Sequence, residues 1–448
     1  MNGSQRQRAW RQPANVPARR VVSPAVYRRR RIVTAACALT LVALAVGVPI
    51  WATGGNHPVG SDQAARARGA TRPAGAGAID ADKRAVVPGP KPVFSWPKVG
   101  EAAVAVRGVG PVGRSPRQRP VPIASLTKMM TALVVLHDHP LVPGESGPRV
   151  RVIPADVATW EAEAVAGDST VKVVAGETLS EYQLLEALLV PSGDNIADVL
   201  ATWDAGSVRR FVEKMNTMAE AIGLASTHYA DASGLNAAST STAADQARLA
   251  ADLMGNTVIR AIVRIRHLAF PVAKSLWNAN PALGTDGIIG VKSGWTLAAN
   301  GCLVAAAFRT VRHHGVLVVS VVLGQPGGLW NAAVVDEDLL NVTTSALVAY
   351  RVARAGAKVA TLALPKDAGD VVLVAPRQPS FAAAWRGLKL TERISEDSGL
   401  SLSALATERV GSVVAEMRVV APWGVIARFP LRLDLVRETP SRPTGSVE

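Results

Sequence analysis

The sequence predicts an α+β protein in which an antiparallel sheet carries a helical lobe, with a small β domain after it and a transmembrane helix before it. Strand-like apolar runs begin at residue 101 and return near residue 300, and the patterns between them are helical. After about residue 355 the helical signal fades, and apolar and polar residues alternate as they do in strands. Residues 32–52 form an uncharged apolar stretch of 21 residues, and about 20 suffice to span a bilayer.

The N-terminal end of the chain is predicted to be a basic cytoplasmic tail followed by a single-pass membrane anchor. Residues 1–31 hold nine arginines, which supply most of the formal net charge of +14, and no acidic residue precedes Asp62. Positive charge directly before an apolar span marks the cytoplasmic side, so we expect everything beyond residue 52 to lie outside. A cleaved signal peptide is the alternative, but no clean A-x-A site follows Trp51. Because the arginines flank an anchor, we expect no nucleic-acid partner.

Four segments are predicted beyond the anchor. Residues 53–92 are dominated by Gly, Ala and Pro without apolar periodicity, which is typical of a flexible tether. The main domain is expected over residues 93–353 and an accessory β domain over 354–436. The final residues, 437–448, have the composition of a disordered tail.

Apolar periodicity predicts the elements of the two domains. In the main domain we expect helices after Ser125 and over residues 179–190, 207–223 and 241–255, and a hairpin of residues 300–309 with 315–325. Thr242 and Asp245 have the spacing of a capping box at the start of the last helix. In the accessory domain we expect strands over residues 371–375, 387–394, 410–422 and 424–436.

Ser125 and Lys128, in "PIASLTKMMTALVVL", form the first pair of residues that could carry chemistry. Residues three apart share a helix face, so the two side chains can touch. A serine hydroxyl becomes a strong nucleophile only when a base takes its proton. A lysine can be that base only when uncharged, and the partial positive charge of a helix N-terminus disfavours the ammonium form. The alternative is a capping serine beside a solvated lysine.

Two later segments add polar residues at breaks in regular structure. In "VPSGDN" the turn before a helix holds Ser192, Asp194 and Asn195; in "GVKSGW" a strand start is followed by Lys292, Ser293, Gly294 and Trp295. Polar residues in such turns usually cap the next helix, and a strand lysine is usually solvated. The functional interpretation is that the glycine permits a close backbone approach and that lysine and hydroxyl together bind a carboxylate.

The three segments occur in the order of the S-x-x-K, S-x-N and K-T-G motifs of serine β-lactamases and penicillin-binding proteins. The chain most closely resembles the D-alanyl-D-alanine carboxypeptidases, which are low-molecular-mass penicillin-binding proteins that trim peptidoglycan stem peptides. "AGETLSEYQLLEALLVPSGDN", "DASGLN", "STAADQARLA" and "GTDGIIGVKSGWT" also look like family blocks in family order. The resemblance covers roughly residues 95–350 and implies a β-lactamase/transpeptidase-like fold for that part of a bacterial, extracytoplasmic enzyme.

The resemblance implies a role for each matching residue. Ser125 would form an acyl-enzyme, Lys128 would be its base, and Ser192 would pass a proton toward the leaving amine. Lys292 and Ser293 would bind the terminal carboxylate of the substrate, and the backbone N–H groups of Ser125 and Trp295, which follows Gly294, would stabilise the oxyanion. The implied partners are the peptidoglycan stem peptide and β-lactam antibiotics.

The chain departs from the family pattern at two positions. Ser293 stands where threonine is usual, and it keeps the hydroxyl. Asp194 stands where asparagine is usual, and a carboxylate there would favour the ammonium form of Lys128 and oppose its use as a base. The conflict disappears if Asp194 is protonated or if Asn195 supplies the missing amide.

Three alternatives to a carboxypeptidase remain open at this point. A β-lactamase needs fast deacylation, and no Glu-x-x-x-Asn loop that would position a hydrolytic glutamate is present. A DD-endopeptidase would cut a crosslink on the same fold. A catalytically inactive scaffold that binds the cell wall would not need the nucleophile, base and anchor residues that all three motifs keep.

No cofactor is expected. The histidines at 137, 139, 313 and 314 do not form an H-E-x-x-H motif, and no P-loop or dinucleotide fingerprint occurs. Of the two cysteines, Cys37 lies in the predicted membrane span and Cys302 in an apolar run, so we expect no disulfide between them.

Overall fold

The computed structural model describes residues 82–363, 370–396 and 408–437 of the chain. The predicted cytoplasmic tail, membrane span and most of the tether lie outside these residues, as does the predicted disordered tail apart from its first residue. No helix within the described part is long and apolar enough to cross a membrane.

The described residues form helices and strands in the following order. The strands are β1 (Lys83–Val86), β2 (Glu101–Val106), β3 (Gly110–Arg114), β4 (Val121–Pro122), β5 (Arg149–Arg151), β6 (Thr178–Ser180), β7 (Thr240–Ser241), β8 (His267–Phe270), β9 (Lys274–Trp277), β10 (Ile288–Thr296), β11 (Asn300–Val311), β12 (His314–Gln325), β13 (Leu347–Ala353), β14 (Lys358–Ala363), β15 (Asp370–Val374), β16 (Ser380–Trp385), β17 (Lys389–Glu396), β18 (Val413–Ala421) and β19 (Gly424–Arg437). The α-helices are α1 (Lys128–Asp138), α2 (Pro154–Ala166), α3 (Glu181–Leu189), α4 (Asp194–Ala205), α5 (Val208–Ala221), α6 (Ala243–Leu253), α7 (Thr257–Val263) and α8 (Leu329–Ala346).

The main sheet has five antiparallel strands in the order β10-β11-β12-β2-β3. Its predicted hairpin is present, because β11 pairs with β12 from Gly301 opposite Gln325 to Val311 opposite His314. The central strands are almost continuously buried, since helix α8 covers one face and the helical lobe the other. Strands that are buried on both faces have nearly continuous apolar sequences.

The helical lobe is organised around α1. This helix buries Met129, Met130 and Val134 in the larger of the two apolar cores, and it contacts α3, α4, α5 and α6. Helix α3 begins with a full capping box, because Ser180 Oγ accepts from the N–H of Gln183 and Gln183 Oε1 accepts from the N–H of Ser180. The lobe therefore holds the segment that follows Ser125 rigidly from several sides.

The predicted capping box of α6 forms only in half. The N–H of Asp245 donates to Thr242 Oγ1 at 3.2 Å. The Asp245 carboxylate turns instead to the N–H of Ser226 and the hydroxyl of Thr227, both at 2.8 Å. A tertiary contact thus replaces the local one that the spacing predicts.

Helices α2, α7 and α8 were not predicted. None of the residues of α2 is fully buried, although Val157 and Trp160 pack partly buried against the larger core and Pro154 at its first position suits a helix start. Helix α8 packs on the main sheet, yet its sequence shows only a weak apolar face. Packing against neighbouring elements therefore stabilises α2 and α8 more than apolar periodicity in their own sequences does.

Strand pairings correct two predicted boundaries, and the first correction comes from the second, six-stranded sheet. Its six strands run β1-β17-β18-β19-β15-β14, and β1 lies within the predicted tether, with Lys83 opposite Glu392. Strand β13, which we assigned to the main domain, pairs with β16 of the accessory domain. A four-residue strand whose partner is about 300 residues away leaves no local periodicity to detect.

Trp423 joins the accessory domain to the main sheet. Its indole Nε1 donates to the carbonyl of Val109 at 2.5 Å, and its ring stacks on Trp385 with centroids 5.5 Å apart. Gly110 is required at this contact, because a Cβ atom there would lie 2.0 Å from Trp423 Nε1. The contact lies at the β2–β3 turn.

Asp336 on helix α8 is a fully buried acid, and neither of its carboxyl oxygens has a hydrogen-bond partner among the described residues. Burial raises its pKa well above the ordinary value. The folded chain therefore keeps a proton that the unfolded chain releases, so this contribution to stability is present at acidic pH and is lost as the pH rises.

We predict that Asp336→Asn weakens the pH dependence of stability, because an amide has no proton to lose. The urea midpoint of the wild-type chain should fall more between pH 5 and pH 8 than that of the variant. An identical pH dependence in both proteins would contradict the assignment.

Candidate active site

Ser125 and Lys128 meet at the junction of two helical segments. A short 3-10 turn, Ala124–Thr127, leads directly into α1, whose first residue is Lys128. Lys128 Nζ lies 2.8 Å from Ser125 Oγ. The lysine is completely buried, whereas the serine is partly exposed. A substrate can therefore reach the hydroxyl, while the amino group acts from inside the protein.

The amino group of Lys128 has three oxygen neighbours. Besides Ser125 Oγ, it lies 2.5 Å from Asp194 Oδ1 and 2.8 Å from the carbonyl of Ser233. An ammonium has three protons to donate, so this arrangement suits it. It also suits a neutral amine, which would donate to Asp194 and Ser233 and accept the Ser125 proton with its lone pair. The same contacts therefore suit Lys128 both before and after it accepts the proton of Ser125.

Asp194 is held as a structural part of this network. Its second oxygen, Oδ2, accepts from the N–H of Ser169 at 3.1 Å, and its own N–H donates to the carbonyl of Ser169 at 2.7 Å. The side chain is only 2% exposed. The predicted carboxylate beside Lys128 is therefore present, as the direct partner of its amino group.

Asn195 does not supply the missing amide. Its Oδ1 accepts from the N–H of Val171 and its Nδ2 donates to the carbonyl of Val171, both at 2.9 Å. Because consecutive residues at a helix start point in different directions, Asn195 faces this neighbouring segment and not Lys128. That alternative for resolving the conflict at Asp194 is excluded by the geometry.

Negative charge accumulates around Asp194. Burial, with the nearby charge of Asp194 next, raises the pKa of Glu163 to about 7. Burial raises the pKa of Asp198 to about 6, and the charges of Asp231 and Asp194 add to the shift. These acids therefore gain protons more readily than usual, which limits the repulsion that Asp194 experiences.

The second and third segments meet at Lys292. Its Nζ donates to Ser192 Oγ at 2.7 Å and to the carbonyl of Ser293 at 2.7 Å. The hydroxyl of Ser293 donates to the carbonyl of Ala279 at 2.9 Å. Ser192 has a φ of 72°, a left-handed conformation that is uncommon for a serine and directs its side chain toward the strand. The structure therefore brings the two motifs together across about 100 residues of chain.

Lys292 is completely buried, and burial lowers its pKa well below the ordinary value. The positive charge of Lys128 lowers it further, and the carboxylate of Asp194 opposes this effect. A weakly basic amine at Lys292 can exchange a proton with Ser192.

Gly294 brings strand β10 against the nucleophile. A Cβ atom at this position would lie 2.8 Å from the backbone nitrogen of Ser125 and 3.1 Å from Ala124 Cβ. The close approach therefore needs glycine. The next residue, Trp295, remains on the strand and is 54% exposed.

The sequence analysis identified "DASGLN" as a family block but assigned no role to the residues of this loop. The Ser233 carbonyl is a partner of Lys128, and a Cβ atom at Gly234, whose φ is 93°, would lie 1.9 Å from the carbonyl oxygen of Ala124. Asp231 shapes the loop by accepting from Ser233 Oγ at 2.9 Å and from the N–H groups of Gly234 and Asn236. The dense Asp, Ser, Gly and Asn composition of this turn was the available signal.

Comparison with known proteins places the chain in a family. Residues 114–327 match the family described as D-alanyl-D-alanine carboxypeptidase. The chain is 34% identical over 203 residues to the D-alanyl-D-alanine carboxypeptidase of Streptomyces sp. strain K15, covering 41% of this chain and 67% of that protein. The chain belongs to the D-alanyl-D-alanine carboxypeptidase family.

Other members of the family extend the likeness. The carboxypeptidase DacF of Bacillus subtilis is 26% identical over 316 residues, which are 66% of this chain and 78% of DacF. The crystal structure of penicillin binding protein 5 from Haemophilus influenzae has a TM-score of 0.57 at 21% identity, covering 77% of this chain and 99% of that one. The likeness confirms a penicillin-binding-protein fold of sheets and helices.

The described residues show no group of side chains that could hold a metal ion. His137 lies in the last turn of α1 and His139 directly after the helix, while His313 and His314 lie at the β11–β12 turn. Cys302 is buried, and burial raises the pKa of its thiol to about 12, which keeps it protonated.

We predict that Gly294→Ala slows acylation by penicillin by about 100-fold or more, since the added methyl group displaces the Ser125 amide. Stopped-flow or gel-based labelling with a fluorescent penicillin measures the rate. Gly315→Ala on strand β12 is the matched control, because a Cβ atom at Gly315 would meet no atom closer than 3.8 Å. Equal rates for the two variants would show that the close approach is unimportant.

We predict that Asp194→Asn retains or increases the rate of penicillin acylation, since the amide oxygen can still accept from Lys128 without holding it as an ammonium. The rate of fluorescent-penicillin labelling at neutral pH is the measurement. A loss of labelling in a folded variant would show that the carboxylate is needed.

Proposed function

We propose that this protein is a serine D-alanyl-D-alanine carboxypeptidase that removes the terminal D-alanine of peptidoglycan stem peptides. The contact between Lys128 Nζ and Ser125 Oγ at 2.8 Å is the observation that carries the proposal. Membership of the carboxypeptidase family supplies the substrate class. β-Lactams would acylate the same serine, because they present a reactive amide in the same position.

In the first step Ser125 Oγ attacks the carbonyl carbon of the terminal peptide bond. Its proton passes to the lone pair of neutral Lys128, which becomes an ammonium. The ammonium then donates to Ser125, Asp194 and Ser233 in the geometry already present. Asp194 therefore stabilises the ammonium that the transfer creates.

The negative charge of the tetrahedral intermediate needs donors beside Ser125. The backbone N–H groups of Ser125 and Trp295 would provide them, because Gly294 brings the strand against the Ser125 amide. Such donors are effective when they are fixed before the reaction, and both the 3-10 turn and strand β10 are parts of regular structure. The oxyanion would thus be stabilised without reorganisation of the site.

Collapse of the intermediate breaks the carbon–nitrogen bond and leaves an ester on Ser125. The departing amine of D-alanine takes a proton from Lys292 through the Ser192 hydroxyl, which lies 2.7 Å from Lys292 Nζ. Water then attacks the ester and gives a proton through Ser192 to the neutral Lys292, while the Lys128 ammonium returns its proton to Ser125 Oγ and restores the hydroxyl. The chain would supply every proton carrier from Lys128, Ser192 and Lys292.

Substrate binding would use the strand-borne residues. The hydroxyl of Ser293 and the amino group of Lys292 would bind the terminal carboxylate, as the family resemblance implies. Lys292 is buried among neutral partners, so an arriving carboxylate would favour its charged form. Binding of a substrate carboxylate would therefore be coupled to protonation of Lys292.

We further propose that residues 32–52 anchor the chain in the bacterial membrane with residues 1–31 in the cytoplasm. The basic tail and the uncharged stretch support this orientation. The catalytic domain would then face the cell wall, where its substrate lies. Strand β1 shortens the free tether, because it is part of the accessory sheet.

We predict that incubation with penicillin adds one penicilloyl group to the wild-type chain and none to Ser125→Ala, measured by intact mass. In a parallel incubation without penicillin, a pentapeptide that ends in D-Ala-D-Ala should lose D-alanine with the wild-type chain and not with Ser125→Ala. Ser345→Ala, at an exposed serine of α8, is the matched control and should react like the wild type.

Each alternative function gives a different result in this experiment. Rapid loss of the penicilloyl adduct would favour a β-lactamase. Release from a crosslinked dimer but not from the pentapeptide would favour an endopeptidase. An unlabelled but folded wild-type chain would favour the inactive scaffold.

A further inference from the structure

Four apolar side chains stand exposed next to the third motif. They are Trp295 (54% exposed), Leu297 (89%), Trp330 (73%) and Val334 (68%). We call these four residues the apolar rim. A tryptophan that is more than half exposed leaves a large apolar surface in water, so a group of such residues indicates a contact surface.

The start of helix α8, which carries Trp330 and Val334, lies beside Trp295. Gly301, the partner of Trp295 in the sheet, packs against Gly328, and a Cβ atom at Gly328 would lie 3.8 Å from the Trp295 ring. Helix α8 starts at the next residue. On it, Trp330 and Val334 are one turn apart and share a face.

The apolar rim also adjoins the proposed nucleophile. Trp295 is two residues from Ser293 along strand β10, so their side chains leave the same face of the strand. A Cβ atom at Gly294, which lies between them, would be 2.8 Å from the Ser125 backbone nitrogen. A substrate held at Ser125 that extends beyond its terminal peptide would therefore reach these rings.

The charge of the surrounding sequence limits the kind of molecule that can bind. No charged residue occurs within residues 293–301 or 324–335. An anionic membrane surface would be met by lysine or arginine, and a charged peptide by a countercharge. An uncharged sugar presents an apolar face of C–H groups flanked by hydroxyls, which suits the flat ring and single N–H of tryptophan.

We propose that the apolar rim is a subsite for the uncharged N-acetylated sugars of the glycan to which the stem peptide is attached. The proposal rests on the proposed function for its choice of substrate. The rim would hold the polymer, while the three motifs act on the peptide. It would thereby distinguish wall-linked stem peptides from free peptides.

Turnover of two substrates by the full chain tests this subsite. Trp330→Ala should lower kcat/KM for a disaccharide-linked pentapeptide by about tenfold and leave the free pentapeptide and penicillin acylation unchanged. Phe308→Ala is the matched control, because Phe308 is also exposed (48%) but lies toward the other end of the sheet. An equal loss on both substrates, or no loss on either, would overturn the proposal.

A binding experiment without catalysis separates this proposal from the proposed function. Peptide-free glycan strands should co-sediment with the wild-type chain and with Phe308→Ala, and about tenfold more weakly with Trp330→Ala. This result is expected even if the chain fails to release D-alanine. Equal binding of glycan by all three proteins, or a loss of vesicle binding in Trp330→Ala without a loss of glycan binding, would refute the subsite.

Discussion

The burial of one amino group determines most of the architecture around the nucleophile. Lys128 is completely enclosed and its nitrogen is satisfied by a hydroxyl, a carboxylate and a main-chain carbonyl. Burying such a group without partners would cost several kcal/mol. The turn before α1, the start of α4 and the Ser233 loop must therefore all be in place before the site exists.

Close backbone contact imposes the second constraint. Gly294 and Gly234 each lie where a methyl group would overlap the segment that contains Ser125. One approaches from strand β10 and the other from the loop after α5, so the nucleophile is held between them. A rigid nucleophile beside fixed N–H groups is what stabilisation of an oxyanion requires. The residues that flank Ser125 are part of the apolar core formed by α1 and its neighbours, which further restricts their movement.

Asp194 adds a negative charge to the site without changing the arrangement of the other site residues. An asparagine there would leave Lys128 with neutral partners, whereas the carboxylate forms a buried ion pair that is 0% and 2% exposed on its two sides. The pair stabilises the charged lysine that proton transfer creates and opposes the neutral lysine that begins it. Glu163 and Asp198, whose pKa values burial raises, place further titratable groups near the pair.

The sequence by itself determined the α+β class of the described residues, the hairpin of β11 and β12, four strands of the accessory domain (β15, β17, β18 and β19) and the residues of the three motifs. These follow from local periodicity and from residue types at fixed spacing, which a single segment contains. It also indicated the conflict between Asp194 and Lys128, since the motif positions alone bring them together.

Only the tertiary structure decided which partners those residues have. Whether Asn195 or Asp194 faces Lys128 depends on the rotation of α4 at its first turn, and Val171, which binds Asn195, lies on a segment with no motif. The Ser233 carbonyl and strand β1 were equally hidden, because main-chain groups and edge strands acquire partners through contacts between distant residues. Such contacts depend on the packing of the whole chain, and no local pattern encodes them.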